Sequence, residues 1–112
     1  MNTLGKGKRI ENMAEKYLQG QGYQTIKVVQ TKWQKKDFFE CFDILAVNKF
    51  GIRGVQCKAN YCPPGVFEMI QLFAAKCPEN FDVEVWVWKD RVGWTNKRFN
   101  RTDNKWEIIS EG

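Results

Sequence analysis

The sequence predicts an α/β fold: one central mixed β-sheet flanked by helices, in the core order α-β-β-β-α-β-β. Three observations predict it. Two amphipathic stretches, residues 7–19 and 66–77, carry apolar residues at spacings of three and four. Short runs rich in β-branched and aromatic residues lie between and after them. One such run, residues 82–88, is apolar on both sides, as a strand covered on both faces must be.

Each element follows from its residues. In the first helix Ile10, Met13, Ala14, Tyr17 and Leu18 share a side, and Gly20 and Gly22 supply the stop. Residues 23–29 turn to strand character with Thr25, Ile26, Val28 and Val29. Residues 31–40 are polar and charged, a loop or an irregular strand continuation. Two apolar runs, 42–47 and 52–58, flank Asn48-Lys49-Phe50-Gly51, which reads as a four-residue hairpin turn. Cys62-Pro63-Pro64-Gly65 breaks the chain before the second helix, whose apolar side is Val66, Met69, Ile70, Phe73 and Cys77. In the run at 82–88, Val83, Val85 and Val87 face one way and Trp86 and Trp88 the other. Residues 92–110 resemble a further pair of strands around a polar turn near Thr102-Asp103-Asn104. With 112 residues, 43% hydrophobic and 28% charged, the chain (1–112) reads as one domain with one core.

Composition excludes several chemistries. There is no histidine, which removes Ser-His and Cys-His catalysis and any zinc site using His. Cys41, Cys57, Cys62 and Cys77 form no Cys-x-x-Cys motif, so free thiols in a reducing cytoplasm are expected, with a thiol-metal site at Cys57 and Cys62 as an unrelated alternative. No uncharged apolar run of about 18 residues predicts a membrane helix. The basic, polar opening is not a secretory signal, and a cytoplasmic location is expected. The net charge of +5 favours a polyanionic partner such as nucleic acid.

The chemistry concentrates around the hairpin. If Val47 pairs with Ile52, the register sets Asp43 across from Gln56 on one sheet face, with Cβ atoms about 5 Å apart. Lys58, two residues on, shares that face. A carboxylate and an amide oxygen so placed can share one hard cation, and a neighbouring ammonium can orient the attacking water or stabilise phosphate charge. That set suffices for phosphodiester hydrolysis without histidine. The bland alternatives are a solvated edge carboxylate at Asp43 and a strand-end lysine at Lys58.

These residues resemble the PD-(D/E)XK nuclease superfamily, whose signature is an Asp on one strand and an acidic-x-Lys triplet on the next. The resemblance covers roughly residues 7–90. Lys8-Arg9-Ile10-Glu11 and Gly22-Tyr23 resemble archaeal-type Holliday junction resolvases, whereas Val55-Gln56-Cys57-Lys58 resembles Mrr-type restriction endonucleases, in which Gln commonly replaces the acidic residue. The resemblance implies a restriction-endonuclease-like core and a Mg²⁺-dependent DNA endonuclease, with Mn²⁺ able to substitute. Asp43, Gln56 and Glu11 would hold the metal, Lys58 would complete the catalytic set, and the helical Glu11 is preferred over Glu15. A resolvase cutting two strands symmetrically would be a homodimer. Lys6, Lys8, Arg9, Lys32, Lys35 and Lys36 are candidate DNA contacts, with Trp33 beside the last three; Lys97, Arg98 and Arg101 extend the possible phosphate track. Trp94 and Trp106 are candidates to cover a dimer surface. Competing readings are a restriction- or repair-type nuclease acting on linear DNA and a DNA-binding protein that keeps the fold without full catalysis.

Overall fold

A computed structural model describes residues 3–28, 37–39 and 41–109, with side chains from residue 7 onward. The elements are α1 (Thr3–Gly20), β1 (Gln24–Lys27), β2 (Ile44–Asn48), β3 (Gly51–Ala59), α2 (Pro64–Ala74), β4 (Phe81–Lys89), β5 (Gly93–Asn100) and β6 (Lys105–Ile109). All six strands join one sheet in sequence order. Every neighbouring pair is antiparallel except β3 and β4, which are parallel. Parallel strands need a crossover, and α2 is that crossover. The predicted mixed sheet with flanking helices is therefore the observed fold, with β5 and β6 forming the C-terminal pair.

The strand alternation sorts side chains into two cores. On the α1 side, Ile10, Ala14 and Leu18 pack against Ile44, Ala46, Val55, Cys57 and Trp86. On the α2 side, Ile70 and Ala74 join Phe42, Val83, Val85, Val87 and Phe99. β4 thus buries valines on one face and Trp86 on the other, as its sequence predicts. The apolar side of α2 differs from expectation at one position. Ile70 and Ala74, one turn apart, are the fully buried pair, and Met69 is 39% exposed. The helix also ends at Ala74, so Cys77 packs from beyond it.

Trp94 and Trp106, both partly buried, pack against other rings of the chain. Trp94 meets Trp86 and Trp88 edge-on, with ring centroids 5.7 and 5.3 Å apart. Trp106 packs against Phe67 at 5.0 Å and Phe99 at 5.4 Å. Both positions follow from strand alternation, which turns them onto opposite faces of the sheet. Among the described residues no helix is long and apolar enough to cross a membrane.

A buried charge cluster ties three strands together on the α1 side. Glu84, fully buried, accepts two hydrogen bonds from Arg53, both at 2.8 Å, and two from Arg98, at 3.1 and 2.9 Å. Trp86 Nε1 donates to the same carboxylate at 2.9 Å. A buried charge without its partner is costly, so Glu84→Gln is expected to destabilise the fold by about 3–5 kcal/mol. Urea unfolding would measure this; a loss below about 1 kcal/mol would mean that Arg53 and Arg98 are solvated enough not to need Glu84.

Candidate active site

The hairpin sets the geometry. Asn48 Oδ1 accepts the N–H groups of Phe50 and Gly51, at 2.9 and 3.2 Å, closing the turn. Val47 then pairs with Ile52, as predicted, and the ladder runs to Ile44 opposite Val55. Asp43 lies one step beyond that ladder. Its own N–H donates to the Val55 carbonyl, and its Oδ2 accepts the N–H of Cys57, both at 2.9 Å. Asp43 therefore brackets Gln56, bonded to the backbone on either side of it. On its other flank, the Val28 N–H donates to the Asp43 carbonyl at 2.9 Å.

The preceding residues hold this position from the α2 side. Phe42 is fully buried and its ring occupies the space over Gly54, where a Cβ would come within 2.8 Å of it. Only glycine at position 54 leaves that room. Phe73 and Phe81 complete the packing, with centroids 5.6 and 5.9 Å from Phe42. A tight turn feeds it: Phe38 N–H donates to Phe42 O at 2.8 Å, and Phe42 N–H returns to Phe38 O at 3.0 Å.

Gln56 is only 4% exposed, and its Oε1 is buried with no hydrogen-bond partner among the described residues. A buried carbonyl oxygen left unmet costs about 1–3 kcal/mol. It is an oxygen ligand in want of a donor or cation, next to a nearly buried carboxylate at Asp43. Lys58 follows on the same face, half-buried. Among the described residues no three His, Cys, Asp or Glu side chains cluster as a metal site, so a cation here would rest on the mixed carboxylate–amide pair. Two oxygen donors of that kind suit a hard divalent ion.

Glu11 reaches this end of the sheet from the opposite side. Thr25 donates to Glu15 at 2.8 Å, and Lys27 donates to Asn12. These bonds run α1 antiparallel to β1, so Glu11, one turn before Glu15, lies toward Val28 and Asp43. Glu15 is occupied with β1, whereas Gln56 and Lys58 point away from the face that α1 covers. Lys8 and Arg9 are exposed on α1, and Lys6 lies on its first turns. Lys32, Trp33, Lys35 and Lys36 fall outside the described residues.

Cys62, just after β3, marks the flank of the site. Burial pushes its thiol pKa up, and the ammonium groups of Lys58 and Lys97 oppose that only in part. A thiol so placed stays protonated near neutral pH and is a poor nucleophile. Cys57 and Cys62 belong to cores on opposite faces of the sheet, which removes the thiol-metal alternative. Lys97 comes to the Gln56 face through the parallel β3–β4 register, a non-local pairing.

No protein-family model matches this chain, and no curated protein matches it either. The fold is an α/β fold, a six-stranded mixed sheet with two helices. Among solved structures it is similar to Hjc, a Holliday junction resolvase from the archaeal hyperthermophile Archaeoglobus fulgidus. The TM-score is 0.59 and the identity 23%, over 81% of this chain and 70% of that one. At that identity the likeness is one of fold.

Proposed function

We propose that this chain is a metal-dependent DNA endonuclease of the Holliday junction resolvase kind. The observation that carries the reading is the buried Oε1 of Gln56, without a partner among the described residues, bracketed by Asp43. The likeness of fold to a junction resolvase and the net charge of +5 support it. Asp43 and Gln56 would hold Mg²⁺ or Mn²⁺, with Glu11 adding negative charge from α1. When bound, such a cation supplies Lewis-acid activation of water and of the phosphoryl group. Lys58 orients the scissile phosphate or the water and offsets charge as the P–O bond breaks. Lys6, Lys8, Arg9, Lys32, Lys35 and Lys36 would hold flanking phosphates. Symmetric cutting of two strands calls for a homodimer, each copy bringing one site.

A neutral amide in place of a carboxylate gives Gln56 its own consequence. It binds a divalent ion less tightly. Gln56→Glu is therefore expected to lower the Mg²⁺ concentration for half-maximal cleavage by about tenfold. A metal titration of cutting rates tests this, and an unchanged midpoint would take Gln56 out of the ligand set. The same residue motivates the second reading, a DNA-binding protein without catalysis. Wild type that binds but does not cut, with cutting gained in Gln56→Glu, would move the assignment there.

A further inference from the structure

Three basic residues near the C-terminus, Lys97, Arg98 and Arg101, are separated by the fold. Arg98 is turned to the α1 side and held by Glu84. Arg101 donates to the backbone carbonyls of Pro78, at 2.9 Å, and Phe81. Lys97 alone of the three points to the side that carries Gln56. The register is direct: Gln56 pairs with Val85 across β3 and β4, and Val85 pairs with Lys97 across β4 and β5. Two strand spacings separate the backbones of Gln56 and Lys97 by about 10 Å. The Lys97 ammonium lies 5.6 Å from the Phe67 ring centroid, over the first turn of α2, close to Cys62. The charges of both Lys58 and Lys97 act on the Cys62 thiol, so the two lysines share one electrostatic neighbourhood. Neither lysine has a carboxylate partner among the described residues.

Half-buried lysines on one sheet face, without an ion partner among the described residues and offset by two strands and two residues, suit neighbouring phosphates of a single strand. We propose that Lys97 is a second phosphate-binding group of this site, holding the phosphate next to the one that Lys58 addresses. The proposal rests on the endonuclease reading and deepens it: β5 as well as β3 sets the path of the strand being cut. Lys97 is a positioning residue, because Asp43, Gln56 and Lys58, and not Lys97, would meet the scissile phosphate, the water and the cation.

The test uses DNA carrying a single uncharged methylphosphonate, moved one phosphate at a time along the strand on both sides of the cut site. Wild type, Lys97→Met and Lys97→Arg are compared; methionine keeps an apolar stem against Phe67 and removes only the charge. In wild type one flanking position should lower kcat/KM by about tenfold. In Lys97→Met that position should cost less than about twofold, KM on unmodified DNA should rise about tenfold and kcat should hold within about twofold. Lys97→Arg should restore the wild-type profile. The same methylphosphonate profile in wild type and Lys97→Met would overturn the role of Lys97 and leave the nuclease intact. Wild type that cuts no substrate would instead overturn the endonuclease reading, and this proposal with it.

Discussion

Asp43→Asn is expected to lower metal-dependent cleavage by about a thousandfold without unfolding the protein. The carboxylate accepts a hydrogen bond from the Cys57 N–H at 2.9 Å, and an asparagine side-chain oxygen can accept the same bond. The backbone bonds to Val55 and Val28 do not involve the side chain at all. What the substitution removes is the full charge beside the Gln56 amide oxygen. Several kcal/mol of charge stabilisation depend on that ligand, and about 4 kcal/mol corresponds to a thousandfold in rate. Single-turnover cutting at saturating Mg²⁺, with circular dichroism as the control for folding, measures the effect. A variant that cuts within about tenfold of wild type would mean that Asp43 is a structural carboxylate serving the Cys57 amide.

Lys58→Ala is expected to lower kcat by about 10²–10³-fold while DNA affinity changes far less. Lys58 lies on the strand that carries Gln56 and on the same face, half-buried, so its ammonium can act where charge develops and is not lost in bulk water. Arginine should not rescue it, because a planar guanidinium cannot replace a compact point charge in that space. Kinetics resolved into binding and cleavage steps separate the two effects. A variant that only raises Kd would place Lys58 among the ordinary phosphate contacts.

Much of this site was readable because its key relation is local. The hairpin Asn48-Lys49-Phe50-Gly51 fixes Val47 against Ile52, which brings Asp43 next to Gln56, and a side-chain period of two puts Lys58 on the face of Gln56. The burial of β4 on both faces was readable from its alternating Val and Trp, but one core was expected and the sheet separates two, one on each face. What the pattern could not give is how Asp43 sits. It leaves the ladder and bonds to either side of Gln56, an arrangement that depends on Phe42 filling the space over Gly54. Hydrophobicity alone also misassigned Met69, because helix rotation, set by the Ile70 and Ala74 contacts, decides which apolar residue is covered. Trp94 and Trp106, candidates for a partner surface by sequence, pack on neighbouring rings and keep part of their surface exposed. The sequence grouped Lys97 with Arg98 and Arg101, and only the parallel pairing across the α2 crossover shows that Lys97 alone of the three shares the face of Gln56. Lys32, Lys35 and Lys36 lie outside the described residues, so their part in binding rests on DNA-binding measurements.

The most direct measurement of the central claim is cleavage of a labelled four-way junction and its matched linear duplex, with and without Mg²⁺ or Mn²⁺, by wild type and Lys58→Ala. The account predicts junction cutting that requires the metal, exceeds cutting of the duplex and is lost in Lys58→Ala. Tight, metal-independent binding of both DNAs with no cutting of either would contradict it.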